Sequence, residues 1–183
     1  MRFAYADPPY VGFAHLYKDE PTYAGEVDHA KLIADLQAGG YDGWALSCSS
    51  KIHSLREILP HVPADAIVGA WVKTSGARPD ALGPWNRWES LIVVPGRRLR
   101  GAPPDFLATP PARGGGTLVG RKPIAFCTWL WAMLGACAGD ELVDLFPGTG
   151  IVGRAWAELS RTSPKYSGDV SAMENGDVDD GGA

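Results

Sequence analysis

Cysteine is scarce in this chain: Cys48, Cys127 and Cys137 are the only three in 183 residues, widely spaced and odd in number. Each thiol reads as a small buried hydrophobe. The four histidines (His15, His29, His53, His61) show no HxxxH or HExxH spacing, and no CxxC occurs, so no metal site is expected. Uninterrupted apolar runs are also lacking; none approaches the roughly 18–20 residues that a membrane span needs. Asp7, Pro8 and Pro9 interrupt the N-terminal segment too early for a signal peptide, so no membrane association and a cytoplasmic protein are expected. Visible internal repeats are absent too.

What is present suits a globular α/β domain: 45% of residues are hydrophobic and 21% charged. The net charge of −4 is unevenly spread. Residues 168–183 hold Asp169, Glu174, Asp177, Asp179 and Asp180 without a Lys or Arg. Residues 97–122 hold Arg97, Arg98, Arg100, Arg113, Arg121 and Lys122 against Asp105 alone. That cluster reads either as an ordinary solvated loop or as a phosphate-contacting one.

Apolar runs and their punctuation predict strands at 2–6, 44–48, 66–73, 89–94 and 141–146. Helices are predicted at 29–37, capped by Asp28 and closed by Gly39-Gly40; at 54–59, capped by Ser54; at 124–138, with Pro123 in its first turn and Gly139 at its end; and at 151–159. Residues 95–120, dense in Gly and Pro, read as a long loop or irregular insertion. Alternating strands and helices predict a largely parallel sheet. The expected organisation is a single domain over 1–174, with the insertion at about 95–120 and an acidic flexible tail at 175–183.

Two motifs carry chemistry. Asp7-Pro8-Pro9-Tyr10 follows the first predicted strand. Consecutive prolines remove two backbone donors and leave their carbonyls as acceptors, at the strand end where open α/β sheets place ligands. The Asp7 carboxylate and the Pro8 carbonyl can then both accept from one NH2 group while Tyr10 offers an aromatic face, an arrangement suited to an extruded nucleobase. The competing reading is a Pro-rich strand stop with a turn aspartate. The second motif, Asp144-Leu145-Phe146-Pro147-Gly148-Thr149-Gly150, again lies between a strand and a helix. With Gly153 it completes a literal GxGxxG, so a nicotinamide dinucleotide site must be weighed. Asp169, 19 residues beyond Gly150, stands where an acid could bind ribose hydroxyls or simply belong to the acidic tail.

Together the two motifs resemble those of the DNA amino-methyltransferases, in which a D/N/S-P-P-Y/F/W tetrapeptide holds the target amino group and a D-x-F-x-G-x-G loop holds S-adenosylmethionine. Arg121-Lys122-Pro123 opens an apolar helix just before the glycine-rich strand, as in that family. The order of tetrapeptide, Lys-Pro helix and glycine loop is similar to the circularly permuted beta group. The resemblance implies a Rossmann-like S-adenosylmethionine-dependent methyltransferase fold, mostly parallel with an antiparallel edge hairpin from residues 71–74 and 88–94. It implies methylation of an exocyclic amino group of a DNA base, with DNA ahead of RNA as substrate. Asp7 leans toward adenine N6 over cytosine N4. Asp7, Pro8, Pro9 and Tyr10 would be catalytic, with the amino group held toward tetrahedral geometry. Ala6, Asp7, Lys122, Pro123, Asp144, Phe146, Pro147, Gly148, Thr149, Gly150 and Asp169 would hold the cofactor. Tyr10, Arg87, Arg97, Arg98, Arg100 and Arg113 are the expected nucleic-acid contacts, and 95–120 takes the place of the recognition region. Two departures are expected to matter: the recognition stretch is short, and the chain ends near the second strand of the cofactor half. A homodimer, a partner subunit or a weakly active cofactor- or nucleic-acid-binding module would accommodate them.

Overall fold

The computed structural model describes residues 1–18, 25–74, 85–98, 101–112, 121–148 and 150–162. Six strands form one sheet in the order β5-β3-β4-β2-β1-β6: β1 (Arg2–Ala6), β2 (Gly43–Ser49), β3 (Ile67–Lys73), β4 (Trp88–Val94), β5 (Phe106–Thr109) and β6 (Glu141–Asp144). Pairing is parallel between β1 and β2, β1 and β6, and β3 and β5, while β4 runs antiparallel to both its neighbours. The mostly parallel Rossmann-like α/β fold expected from the sequence is the one observed.

The apolar pattern explains the layering. In the central strand β1, Phe3, Ala4, Tyr5 and Ala6 are all buried, as a strand covered on both faces must be. Phe3 and Tyr5 point into a cluster with α3 (Ile124–Leu134) and α4 (Ile151–Thr162). Ala4 and Ala6 point oppositely, toward Ile33 and Leu36 of α1 (His29–Ala38) and Ile58 of α2 (Ile52–Ile58). A sheet sandwiched between two helical layers results. No helix among the described residues is long and apolar enough to cross a membrane.

Asp28 caps α1 as expected, its Oδ1 accepting from the Lys31 amide at 2.9 Å. Several boundaries differ, among them the end of α4 (Ile151–Thr162), expected at 159. Helix α2 starts at Ile52 with Lys51 at its N-cap, and Ser54 is not a cap; its hydroxyl is buried without a hydrogen-bond partner. Helix α3 stops at Gly135, not Gly139, because Gly135 takes a left-handed φ of 72° beside the chain leaving β4. A Cβ there would lie 2.1 Å from the Arg97 carbonyl oxygen. Strand β6 ends at Asp144, whose Oδ1 accepts from the Phe146 amide at 3.3 Å and turns the chain. Within 95–120 the structure places β5, which hydrogen-bonds to β3 and takes the sheet edge outside the β3–β4 hairpin. Tail residues 175–183 lie outside the described residues.

Candidate active site

Strands β1 and β6 are parallel neighbours in the register Tyr5 with Asp144. Their C-terminal ends therefore release the tetrapeptide and the glycine loop side by side. The connection from β1 runs to β2 on one side, and that from α3 reaches β6 on the other, which is the kind of switch point where open α/β sheets bind ligands.

The Tyr10 carbonyl accepts from the Phe13 amide at 2.8 Å, folding the tetrapeptide back over the sheet end. Lys122, from the segment entering α3, reaches the same point. Its side chain is 4% exposed, and its ammonium lies 3.2 Å from Asp7 Oδ1, 2.8 Å from Glu89 Oε2 and 3.1 Å from the Tyr10 oxygen. Glu89, at the start of β4, also accepts from the Tyr10 hydroxyl at 2.8 Å and is bridged by Lys73 on its other oxygen. The faces of Tyr10, Trp71 and Phe126 lie 5.2–5.7 Å from the Lys122 nitrogen. Removing an ammonium and carboxylates from water costs roughly several kcal/mol per ion, so the cluster exists only through its mutual pairing.

The charges respond unequally. Burial raises the Asp7 pKa; Lys122 opposes this and Glu89 adds to it. Burial works the same way on Glu89, but Lys122 and Lys73 together outweigh it and pull the carboxyl down to about 2. For Lys122 burial disfavours the charge, yet Asp7 and Glu89 prevail and its pKa is raised. Tyr10 is pushed well above its ordinary value, first by burial and then by the two carboxylates. Lys122 and Glu89 are therefore ionised at neutral pH, and Asp7 is the more readily protonated of the two carboxyls.

A cavity of about 180 Å³ opens over this cluster. Phe13, Tyr17 and Trp88 supply aromatic wall, and Ser49, Asn86 and Lys73 supply polar groups. At its rim the Lys51 ammonium sits 4.8 Å from the Phe13 ring centre. Nearby, the Arg87 guanidinium lies 5.3 Å from the Trp85 ring and donates to the Lys73 carbonyl.

The described residues of the glycine loop lie beside the cavity without lining it. Gly148 and Gly150 take φ of 46° and 69°, and the Gly150 amide donates to the Pro147 carbonyl at 2.6 Å. Both conformations are ones that L side chains disfavour. Asp144, half-buried, has its pKa raised by burial, with Asp7 adding to the rise. Gly153 lies inside α4, and a Cβ there would meet nothing within 4 Å. The third glycine of a dinucleotide fingerprint serves close helix–strand packing; Gly153 has no such duty, which counts against the nicotinamide reading.

The structure thus gathers Asp7, Tyr10 and Lys122 around one cavity, with Ala6, Pro8 and Pro9 along the same stretch of chain, Pro123 at the α3 N-cap, and Asp144, Phe146, Pro147, Gly148 and Gly150 alongside. It does not bring Arg97 there. Arg97 follows β4 at the opposite end of the sheet, donating to the Gly135 carbonyl and Asp140 Oδ2 at 2.8 and 2.9 Å, and Arg98 is next to it, exposed. Grouping these two arginines with the tetrapeptide is corrected by that geometry: β4 runs antiparallel, so its C-terminal end faces away. Arg100, Arg113, Thr149 and Asp169 lie outside the described residues. Sequence reasoning missed Glu89, Lys73, Phe13, Tyr17, Asn86 and Lys51. Only Glu89 left a signal, as a lone acid opening the apolar run Trp88–Val94.

No family model matches the chain, and no curated protein matches it. Among solved structures the fold is similar to that in the crystal structure of an M1.HpyAVI–SAM complex, with a TM-score of 0.57 and 14% sequence identity over 87% of this chain and 78% of that one. At that identity the likeness is one of fold.

Proposed function

We propose that this chain is an S-adenosylmethionine-dependent methyltransferase that modifies an exocyclic amino group of a DNA base, adenine N6 ahead of cytosine N4. The observation that carries the reading is the adjacency of Asp7-Pro8-Pro9-Tyr10 and the glycine loop on paired parallel strands, in the register Tyr5 with Asp144. The shared fold with a SAM complex supports the choice of cofactor.

The residues present fit that cofactor. Gly148 and Gly150 carry no side chain that would keep a ligand off the backbone at their positions, and Asp7 and Asp144 follow paired strand ends, so that their carboxyls are available for a cationic group. Bound there, the cofactor supplies an electrophilic methyl group. Everything else falls to the chain. Asp7 Oδ2 and the Pro8 carbonyl, neither with a hydrogen-bond partner among the described residues, accept hydrogen bonds from the two N–H groups of the amino group and localise its lone pair. Tyr10, Phe13, Tyr17 and Trp88 present rings to an unstacked base, a type of contact worth about 1–3 kcal/mol. Lys51 and Arg87, each against a ring and without a carboxylate partner among the described residues, are suited to the phosphates on either side of it. Catalysis of this kind is orientation and electrostatics.

Tritium transfer from methyl-labelled S-adenosylmethionine to DNA tests the reading. Asp7→Ala is expected to lower transfer by about 100- to 1000-fold, the range seen when one preorganised polar contact is removed, while cofactor binding by calorimetry persists. Absence of transfer to any DNA or RNA by the unmodified chain would refute it.

A further inference from the structure

We propose that Lys122 and Glu89 are positioning residues: Glu89 holds the Lys122 ammonium, and Lys122 locks one oxygen of Asp7 so that the other is left as a free acceptor beside the cavity. The identity of the incoming amino group rests on the methyltransferase reading; the clamp itself rests on geometry.

Three distant parts of the chain meet here. Asp7 leaves β1, Glu89 opens β4, and Lys122 precedes α3. Asp7 Oδ1 faces the Lys122 ammonium at 3.2 Å and accepts from the Tyr10 hydroxyl at 3.4 Å. Glu89 has no oxygen to spare: Oε2 takes Lys122 and Tyr10, and Oε1 takes Lys73. Asp7 Oδ2 is the one carboxylate oxygen of the cluster with no partner among the described residues, and Asp7 lines the cavity. A carboxylate accepts from an amino group only when ionised, and burial pushes Asp7 toward its neutral form. Lys122 is the counter-charge that opposes this, and Glu89 fixes Lys122 in place at the cost of a like charge.

The other groups facing Asp7 do not substitute. Asp144 on β6 adds negative charge. Tyr5 on β1, Tyr10, and Tyr17 in the 3₁₀ turn Ala14–Tyr17 are held neutral, and burial lifts the Cys48 thiol of β2 to about 12. Lys73 reaches Glu89, and among the described cations Lys122 alone reaches Asp7.

The test is a direct titration of the Asp7 carboxyl carbon by NMR in the carbon-13-labelled full chain. Lys122→Met removes the counter-charge and is expected to move the Asp7 midpoint up by about one pH unit or more. Glu89→Gln removes a like charge and is expected to move it down. Charges too far from Asp7 to hold it would leave both midpoints where they are, so midpoints that stay put or move together would overturn the clamp. Should Lys122→Met not fold, Glu89→Gln carries the test with one measurement on the unmodified chain. There the Lys122 ammonium is expected to give a slowly exchanging signal, and exchange as fast as that of an exposed lysine would overturn the proposal. In methyl-transfer assays the acid limb of kcat/KM should follow each midpoint. Opposite shifts without any transfer would uphold the clamp and refute the methyltransferase reading; transfer with an unmoved Asp7 midpoint would do the reverse.

Discussion

The two ends of the sheet are built from similar materials and do opposite things. At the end where β4 finishes, Asp140 is satisfied on Oδ2 by the Arg97 guanidinium and the Cys137 amide, at 2.9 and 2.8 Å. Burial would raise its pKa, but Arg97, the Met1 ammonium 2.8 Å from Oδ1 and the Cys137 amide together pull it down to about 2. At the end where β1 finishes, Asp7 keeps one oxygen without a partner among the described residues, its pKa moves up, and aromatic rings line an open cavity beside it. Buried polar groups are normally satisfied. A carboxylate left half-satisfied at one end of the sheet, when the one at the other end is saturated, marks where the molecule has kept binding capacity in place of stability.

Glycine substitution breaks this comparison most sharply. Gly135→Ala meets both a left-handed φ of 72° and a Cβ position 2.1 Å from a backbone oxygen. A loss of about 3 kcal/mol or more is expected by urea denaturation, since neither neighbour is a flexible side chain. Gly150→Ala has a similar φ of 69°, but its nearest contact is the end of the Arg154 side chain at 3.1 Å. It should cost only about 1 kcal/mol, while weakening S-adenosylmethionine binding measured by calorimetry. If the two variants lose equal stability, the division of labour between the ends is wrong.

Aspartate-to-asparagine exchange is a finer probe. Asp140→Asn removes a carboxylate held by charge-assisted hydrogen bonds and should destabilise by about 2 kcal/mol. Asp7→Asn removes one whose ionisation the fold resists, so stability near pH 7 should change by no more than about 0.5 kcal/mol, or rise. Thermal melts of both variants decide the matter.

The smallest effect concerns pH. Glu89 has a folded pKa of about 2, below its ordinary 4.5. The unfolded chain therefore binds its proton first, and the stability it contributes is present above about 4.5 and lost as pH falls toward 2. Asp7, with a raised pKa, has the opposite sign: its contribution is largest below its ordinary value and is lost as pH rises through the folded one. Glu89→Gln should flatten the acid side of the stability curve measured by urea titration, whereas Asp7→Asn should not.

Much of the fold was readable because its signals are local. Five of the six strands, the Asp28 cap and the placement of Pro123 follow from short runs and punctuation. Strand β5 was not readable: Phe106–Thr109 is four residues long, sits among prolines and glycines, and gains its identity only by pairing with β3. The cap at Gly135 was missed because nothing in the local sequence distinguishes it from Gly139; the nearby Arg97 carbonyl does.

By itself the sequence determined two loops at strand ends, one offering acceptors and the other a bare backbone, because proline and glycine act on their own φ and need no neighbour. Only the tertiary structure decided that these loops lie side by side, that Glu89 and Lys122 converge on Asp7, and that Arg97 faces away from them. Those outcomes depend on strand order and direction, which bring residues separated by tens of positions into contact through long-range pairing.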